Sequence, residues 1–510
     1  MFIPERPADA KFRTLVVLLD GTGDSVDNDV TNIVHLKNML YGTYKEDDKQ
    51  MVLYLSIIPN KLQRGIGSPM DGFDPEFDDE KAHPWKSSVQ RTWEQAFASD
   101  FGEYVARPYK WLAQNYKDGD KICIFGFSRG AYTARALAGM INAIGLLPKE
   151  ASSETEVKAA YDLYDNFADL PRAKADREPK FVALMDEFQA LKEKKKCREV
   201  FIEFLGCWDT VNSVGYQRAI KLGYTRTNDI VRTFRHAIAL DEHRVKFKQN
   251  NWSGPPEDKV PNPADKATVG KPPRGTTDVE EVWFSGCHCD IGGGSVLNGT
   301  RPNLAHIPLR WMIRECFNKN NGMMFDPQAI KIIGIDPSSL SPGVKRSPPE
   351  ISTFSSGFAK IAVVEPEGWV AYFKSWIWSK KGTELQLPNK SEDELDAADA
   401  LAPAYDQLVL NPGKWALMER IGLKKDNLND DGKWGEISEQ HLSHGRTIPP
   451  LKELHGGKVK AHWTVRRRME CRFENGKTYV PLARVGYEKK YEDKTLFTKA
   501  VEDGWVEWVA

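Results

Sequence analysis

Apolar residues in the first two thirds of the chain form short continuous runs that alternate with stretches of helical spacing. Continuous runs at 15–19, 51–58 and 121–127 are typical of strands buried on both faces of a parallel sheet. Helical spacing over 101–116 and 129–144 lies on either side of the third run. The alternation predicts an α/β fold in which helices flank a mostly parallel sheet.

The same alternation continues further along the chain, with insertions. Apolar runs predict strands at 200–208, 281–287 and 329–335. Between the first two of these, apolar residues three or four apart over 230–238 predict a helix that begins behind Asn228. Residues 151–197 are highly charged and read as an inserted helical segment.

A pentapeptide with glycine at both ends joins a predicted strand to a predicted helix. Its sequence is Gly126-Phe127-Ser128-Arg129-Gly130. In this G-x-S-x-G pattern the serine lies on a sharp strand-to-helix bend, and the glycines leave room for neighbouring backbone. A serine hydroxyl becomes a good nucleophile only when a base accepts its proton. In this context the pattern predicts Ser128 as a nucleophile in an α/β-hydrolase-like fold. The alternative is a tight turn whose serine only caps the helix.

Two backbone N–H groups from different parts of the chain are predicted to form the oxyanion hole beside Ser128. The N–H of Arg129 lies at the N-terminus of the predicted helix, where the helix dipole favours negative charge. A second donor is expected from Gly21 or Thr22, because a buried strand leads into that turn and glycine allows a close approach.

A histidine at the end of a later strand is expected to serve as the base. The chain has ten histidines, and His288 alone directly follows a predicted buried strand and precedes a glycine run that can bend sharply. We therefore predict His288 as the general base. His306, at the start of a predicted helix, is the second candidate.

The acid that orients the base is predicted to be Asp209. This aspartate ends the predicted strand 200–208, and it falls between Ser128 and His288 in the order Ser, Asp, His that this fold uses. Asp290 is the rival, two residues from His288. The structural alternative for Asp209 is a side chain that only bonds the backbone of its own turn.

Six blocks that contain these residues together resemble one known domain. The resemblance is to the α/β-hydrolase domain of type VI secretion phospholipase effectors, a family first described as a domain of unknown function, with bacterial and fungal relatives. It implies a Ser-Asp-His triad at Ser128, Asp209 and His288. It also implies cleavage of phospholipid acyl esters by the bacterial effectors, whereas many relatives have no assigned substrate. The blocks are 19–22, 31–32, 126–132, 206–211, 235–242 and 283–294.

The alternation of predicted strands and helices ends after Asp336. Pro, Ser and Gly dominate 337–357, and an aromatic stretch follows at 369–378. We therefore predict a catalytic domain at 12–335 and an accessory region at 340–510 that packs on the core. The aromatic stretch has three aromatic residues on one helical face, which favours either a lid that contacts a membrane surface or a helix packed on the core.

Charge and cysteine usage narrow the class of partner and compartment. The formal net charge of −1 gives no reason to expect a nucleic-acid partner. Seven cysteines without a CxxC pair are read as reduced thiols, and the first 13 residues lack the apolar core of a signal peptide. These features predict a cytoplasmic protein. We also expect neither a cofactor nor a metal.

The leading functional hypothesis is an esterase or phospholipase-like hydrolase that acts on a small-molecule or lipid ester, with transient membrane contact in the lipid version. One alternative is a binding or scaffold protein with a vestigial site. Another is a metal-assisted hydrolase that uses Asp20, Asp290 and His288. The acyl chain, the alcohol and the oligomeric state are left open.

Overall fold

The structure is a computed structural model, and the aromatic stretch 369–378 lies outside the residues it describes. The described residues are 2–7, 9–22, 30–41, 49–57, 87–171, 174–211, 222–252, 277–354, 390–410, 419, 423–428, 434–439, 441–473, 476–486 and 494–510.

Eight strands form one sheet in the order β13-β10-β6-β5-β4-β3-β1-β2, and every described pairing within it is parallel. Parallel strands need crossover connections, which place helices on both faces and bury the strands. The predicted α/β fold is therefore confirmed. The strands are β1 (Thr14–Thr22), β2 (Gln50–Ile57), β3 (Lys121–Phe127), β4 (Ile202–Trp208), β5 (Val231–Ala239), β6 (Asp278–Phe284), β7 (Leu423–Leu428), β8 (Trp434–Glu439), β9 (Thr447–Ile448), β10 (Val459–His462), β11 (Arg484–Val485), β12 (Thr495–Leu496) and β13 (Val506–Val509).

Helices cover both faces of this sheet. Successive residues of β1 point to opposite faces, so that Leu15 and Val17 join the core beneath α3 while Val16 and Leu18 join the core beneath α7. The described α-helices are α1 (Asn32–Met39), α2 (Ser87–Asn115), α3 (Arg129–Ile144), α4 (Glu154–Asp165), α5 (Lys174–Lys195), α6 (His288–Gly292), α7 (His306–Asn318), α8 (Pro327–Ile332), α9 (Glu392–Asp399), α10 (Gln407–Leu410), α11 (Trp463–Glu470) and α12 (Phe497–Glu502).

The helix predicted over 230–238 is wrong, because these residues form the central strand β5. Ile230, Phe234 and Ile238 are spaced by four, and an even spacing also satisfies the two-residue period of a strand. β5 lies between β4 and β6 in the sheet, and all of its residues except Arg232 are buried. Burial on both faces removes the polar alternation that would have marked a strand.

The strand predicted at 329–335 is also wrong, because α8 occupies most of this run. The Asp326 side chain accepts a hydrogen bond from the Gln328 N–H, and Pro327 stands at the first helical position. An acidic cap followed by proline is a helix-start signal. In the tail, Val465 lies in α11.

The C-terminal region extends the main sheet beyond β6. Strand β10 pairs with β6 on one side and with β13 on the other, and Ala461 lies opposite Trp283. Strands β9, β11 and β12 form a separate small sheet. The domain division near residue 335 stays a prediction, although one sheet takes strands from both sides of it.

A buried ion-pair cluster fastens α9 to α7. The Arg310 guanidinium on α7 contacts Asp396 at 2.6 Å and Asp399 at 2.6 Å, and all three side chains are almost fully buried. Because charges this deep are costly unless paired, the contact fixes residues 390–402 against the core. No helix in the described ranges has both the length and the apolar character that a membrane span requires.

Candidate active site

Ser128 lies on the turn between β3 and α3 in a backbone conformation that only a constrained residue adopts. Its φ is +59° and its ψ is −123°. The Ser128 N–H donates to the Trp208 carbonyl at 3.0 Å, which fixes the turn to the end of β4. The hydroxyl makes no capping bond to α3, so the helix-cap alternative has no support. Backbone strain of this kind is typical of functional sites.

The two glycines of the pentapeptide allow α3 to begin directly against the strand ends. A Cβ on Gly130 would lie 2.3 Å from the Leu19 carbonyl oxygen, and a Cβ on Gly126 would lie 2.5 Å from the Gly130 carbonyl oxygen. Real Cβ atoms do not approach backbone so closely. Any larger residue would therefore push α3 away from β1 and displace Ser128.

His288 and Asp209 meet Ser128 at the carboxyl ends of the central strands. The Ser128 Oγ lies 2.8 Å from the His288 Nε2, and the His288 Nδ1 lies 2.6 Å from the Asp209 Oδ2. With its proton on Nδ1, the imidazole donates to Asp209 and accepts from the Ser128 hydroxyl. The structure thus brings the three residues predicted as nucleophile, acid and base into one line of contacts.

Asp209 is held rigidly at the end of β4. Its φ is +43°, its N–H donates to the Ala237 carbonyl at 2.8 Å, and its Oδ1 accepts from the Ala239 N–H at 2.9 Å. The Arg446 guanidinium also contacts both carboxylate oxygens. Burial alone would raise the pKa of Asp209, but the charge of Arg446 and the bond to His288 outweigh it and hold this pKa well below its ordinary value.

The imidazole of His288 is enclosed by aromatic rings. Phe127 packs against it with ring centroids 4.8 Å apart, and Phe247 meets it edge-on at 4.8 Å. The backbone N–H of His288 donates to Glu242, which is itself paired with Arg244. Burial lowers the pKa of His288 below its ordinary value of 6.5, although Asp209 opposes the shift. The neutral imidazole is therefore the dominant form at neutral pH.

The structure shows a bonding partner for one of the predicted oxyanion donors. A Cβ on Gly21 would lie 3.5 Å from the Ser128 Cβ, so the turn after β1 does lie beside the serine. However, the Gly21 N–H donates to its neighbour Asp20 at 2.8 Å and is already engaged. Arg129 opens α3 and Thr22 ends β1. The donor role of these two residues stays a prediction.

The rival residues bond elsewhere. Asp290 accepts hydrogen bonds from the Cys287 and Tyr405 backbone N–H groups, and burial raises its pKa to about 7. His306 opens α7 and packs edge-on against His35. In the part of the chain that the structure describes, no three side chains among His, Cys, Asp and Glu gather as a metal site would require.

His236 is a buried histidine in β5 that bonds other parts of the structure. Its Nε2 accepts from the Thr210 N–H at 3.0 Å, and its Nδ1 contacts Glu281 at 2.9 Å. The bond to Thr210 holds the backbone immediately after Asp209. His236 thus supports the turn that presents Asp209.

Sequence reasoning missed Arg446, Glu242 and Phe247. Glu242 falls within the block 235–242, so its position there was a usable signal. Phe247 and Arg446 stand in no pattern, and Arg446 is separated from Asp209 by more than two hundred residues. All seven cysteines are free thiols, as the absence of paired spacing indicated.

Comparison with known proteins gives a family and several distant likenesses. An uncharacterized protein of Saccharomyces cerevisiae, YEL023C, is 25% identical over 583 residues that cover 92% of this chain and 81% of that protein. An uncharacterized protein from Pseudomonas aeruginosa is 15% identical, with a TM-score of 0.34, over 77% of this chain and 53% of that one. The Tle1 effector bound to the VgrG spike from the type VI secretion system is 15% identical, with a TM-score of 0.28, over 57% and 52%. The chain therefore spans about half the length of these two solved chains.

A family model described as the catalytic domain of Tle1-like phospholipase effectors of the type VI secretion system matches residues 13–315. The match covers more than half of the chain and includes Ser128, Asp209 and His288. The chain belongs to the Tle1-like phospholipase effector catalytic domain family.

Proposed function

We propose that this chain is a serine hydrolase that cleaves a carboxylic acyl ester, with a phospholipid as the preferred substrate class. The observation that carries the proposal is the buried line of contacts from Ser128 through His288 to Asp209, at 2.8 Å and 2.6 Å. The phospholipid class rests on the description of the family. Transient contact with a membrane surface and a cytoplasmic location remain part of this proposal.

The proposed reaction follows from which group at the site carries a proton and which group can accept it. The Ser128 Oγ attacks the ester carbonyl carbon while its proton passes to the His288 Nε2, and the carbonyl oxygen becomes an oxyanion. The backbone N–H groups of Arg129 and Thr22 are the proposed donors to that oxyanion. The tetrahedral intermediate then collapses, the C–O bond to the alcohol breaks, and the alcohol leaves with the proton from Nε2. Water repeats the sequence on the acyl-enzyme and releases the fatty acid.

The test combines a substrate panel with an active-site probe. The full chain is incubated with phospholipid vesicles of defined acyl chains and with short-chain nitrophenyl esters, with and without EDTA, and the products are identified by mass spectrometry. We expect free fatty acid and lysophospholipid, and labelling of the Ser128 peptide by a fluorophosphonate. Diacylglycerol or phosphatidic acid as the product would contradict ester cleavage at the acyl group. Absence of any labelling would favour the scaffold alternative, and activity lost with EDTA would favour the metal-assisted one.

The pH dependence of labelling is a further prediction. The base is active when neutral, so the rate falls as the pH drops through the pKa of His288. Because burial lowers that pKa, the midpoint of the decline in labelling should lie below pH 6.5. Fluorophosphonate labelling rates measured from pH 4.5 to 8 give the midpoint for the free enzyme. A midpoint clearly above 6.5 would contradict the buried, uncharged base.

A further inference from the structure

Arg446 is a buried arginine that meets the proposed catalytic acid from outside the family match. It lies just before β9, beyond residue 315, and its side chain is only 3% exposed. One terminal nitrogen lies 2.8 Å from the Asp209 Oδ2 and the other lies 2.5 Å from the Oδ1. Such a two-pronged contact fixes the direction of a carboxylate as well as its charge.

The same guanidinium also bonds two backbone carbonyls at the site. It donates to the Phe247 carbonyl at 2.7 Å and to the Ala239 carbonyl at 3.3 Å. Phe247 is the residue whose ring packs edge-on against His288. Arg446 therefore joins three parts of the centre: the acid, the end of β5 and the loop that covers the imidazole.

We propose that Arg446 is a positioning residue of this active site, and that the C-terminal region thereby completes a centre whose nucleophile, acid and base all lie within the family domain. Arg446 aims the Asp209 Oδ2 at the His288 Nδ1 and holds the Phe247 loop over the ring. The inference rests on the proposed function. A carboxylate that is aimed less precisely holds the imidazole less firmly in the tautomer that accepts the proton of Ser128.

The charge of Arg446 also has a consequence for the base. Other charged groups beside the imidazole are Asp209 at the end of β4, and Glu242 and Arg244 from the segment after β5. A guanidinium on Asp209 partly cancels the negative charge that would stabilise the protonated imidazole. Because the Ala239 N–H still holds the Asp209 Oδ1 near the imidazole, removing the guanidinium should raise the pKa of His288, so that activity is lost at a higher pH than in the wild type.

Two substitutions separate charge from geometry. Arg446→Met removes both, and we expect the rate of fluorophosphonate labelling to fall about 100-fold and its acidic midpoint to rise by about 0.5 to 1 pH unit. Arg446→Lys keeps the charge but cannot make the two-pronged contact, so the rate should fall while the midpoint stays near the wild-type value. Arg310→Met is the matched control, since Arg310 is equally buried and paired with two aspartates on α9. It should lower the melting temperature and leave the labelling rate and midpoint unchanged.

A double-mutant cycle tests whether Arg446 acts through the acid. In an Asp209→Asn background, adding Arg446→Met should slow labelling by less than about threefold, because the carboxylate to be positioned is gone. A full 100-fold further loss, or a folded Arg446→Met protein with the wild-type rate and midpoint, would overturn the proposal. If Arg446→Met does not fold, Arg446→Lys decides: a slower rate with an unchanged midpoint supports the role, and the wild-type rate rejects it. A wild-type chain that is never labelled rejects the proposed function itself, whereas rapid labelling of all Arg446 variants rejects the role of Arg446 alone.

Discussion

Replacing Ser128 with alanine is expected to lower kcat for acyl-ester hydrolysis on the order of 10⁶-fold, to the level left by binding and the oxyanion donors. The loss should be this large because the hydroxyl is the one atom that forms the acyl-enzyme, and it is the group that the His288 Nε2 contacts at 2.8 Å. The folded state should change little, since the hydroxyl does not cap α3 and its described bond is to the imidazole. Initial rates with a nitrophenyl ester and thermal melts of both proteins measure the two effects.

Ser152→Ala is the control for the loss of a buried hydroxyl. Ser152 is also buried, and its hydroxyl donates to the Lys149 carbonyl at 2.8 Å in a turn before α4. Its removal should cost stability of about 1 kcal/mol and leave kcat unchanged. Residual activity above about one per cent in Ser128→Ala, in protein free of wild-type carry-over, would show that another group carries the reaction.

Replacing Asp209 with asparagine is expected to lower kcat about 10⁴-fold. The asparagine amide can donate to the His288 Nδ1, which then carries no proton, and the ring proton moves to the Nε2 that must accept from Ser128. The change also leaves the Arg446 guanidinium without its anionic partner in a buried position, so the melting temperature should fall as well. Steady-state kinetics at the pH plateau and a urea titration separate the catalytic loss from the stability loss.

Asp399→Asn provides the stability control for this substitution. Like Asp209, Asp399 is buried, pairs with a buried arginine and accepts a backbone N–H, here from Asn303 at 2.8 Å. We expect a comparable loss of stability with kcat within a factor of two of the wild type. Equal losses of kcat in the two variants would mean that Asp209 acts on the fold and not on the imidazole.

The sequence was informative wherever a local rule decided the structure. The run before Ser128 and the glycines around it predicted β3 and the start of α3, because strand burial and a sharp turn are set by neighbouring residues. The segment 230–238 failed for a related reason: a residue spacing of four fits a helix and one face of a strand equally well. Only its neighbours in the sheet, which sequence periodicity does not contain, decide between them.

The site residues divide in the same way, into those that neighbouring sequence predicts and those that only the tertiary fold brings to the site. Ser128, Asp209 and His288 could be proposed because each follows a predicted strand, and the carboxyl ends of parallel strands meet at one edge of a sheet. The hydrogen bond from the Gly21 N–H to Asp20 depends on the rotamer of the aspartate side chain, which the sequence does not determine locally. Arg446 reaches Asp209 through the path of the C-terminal region, and no apolar period around residue 446 predicted that path.

The position of β6 in the sheet bears on how the chain is made. On a ribosome, β6 has no neighbour beyond β5 until the residues of β10 emerge, many seconds later at about 5–20 residues per second. Throughout that interval its outer row of N–H and C=O groups is an open template for pairing with another nascent chain. Yield in the cell should therefore depend on chaperones that shield this edge, and slowing translation between β6 and β10 should increase aggregation.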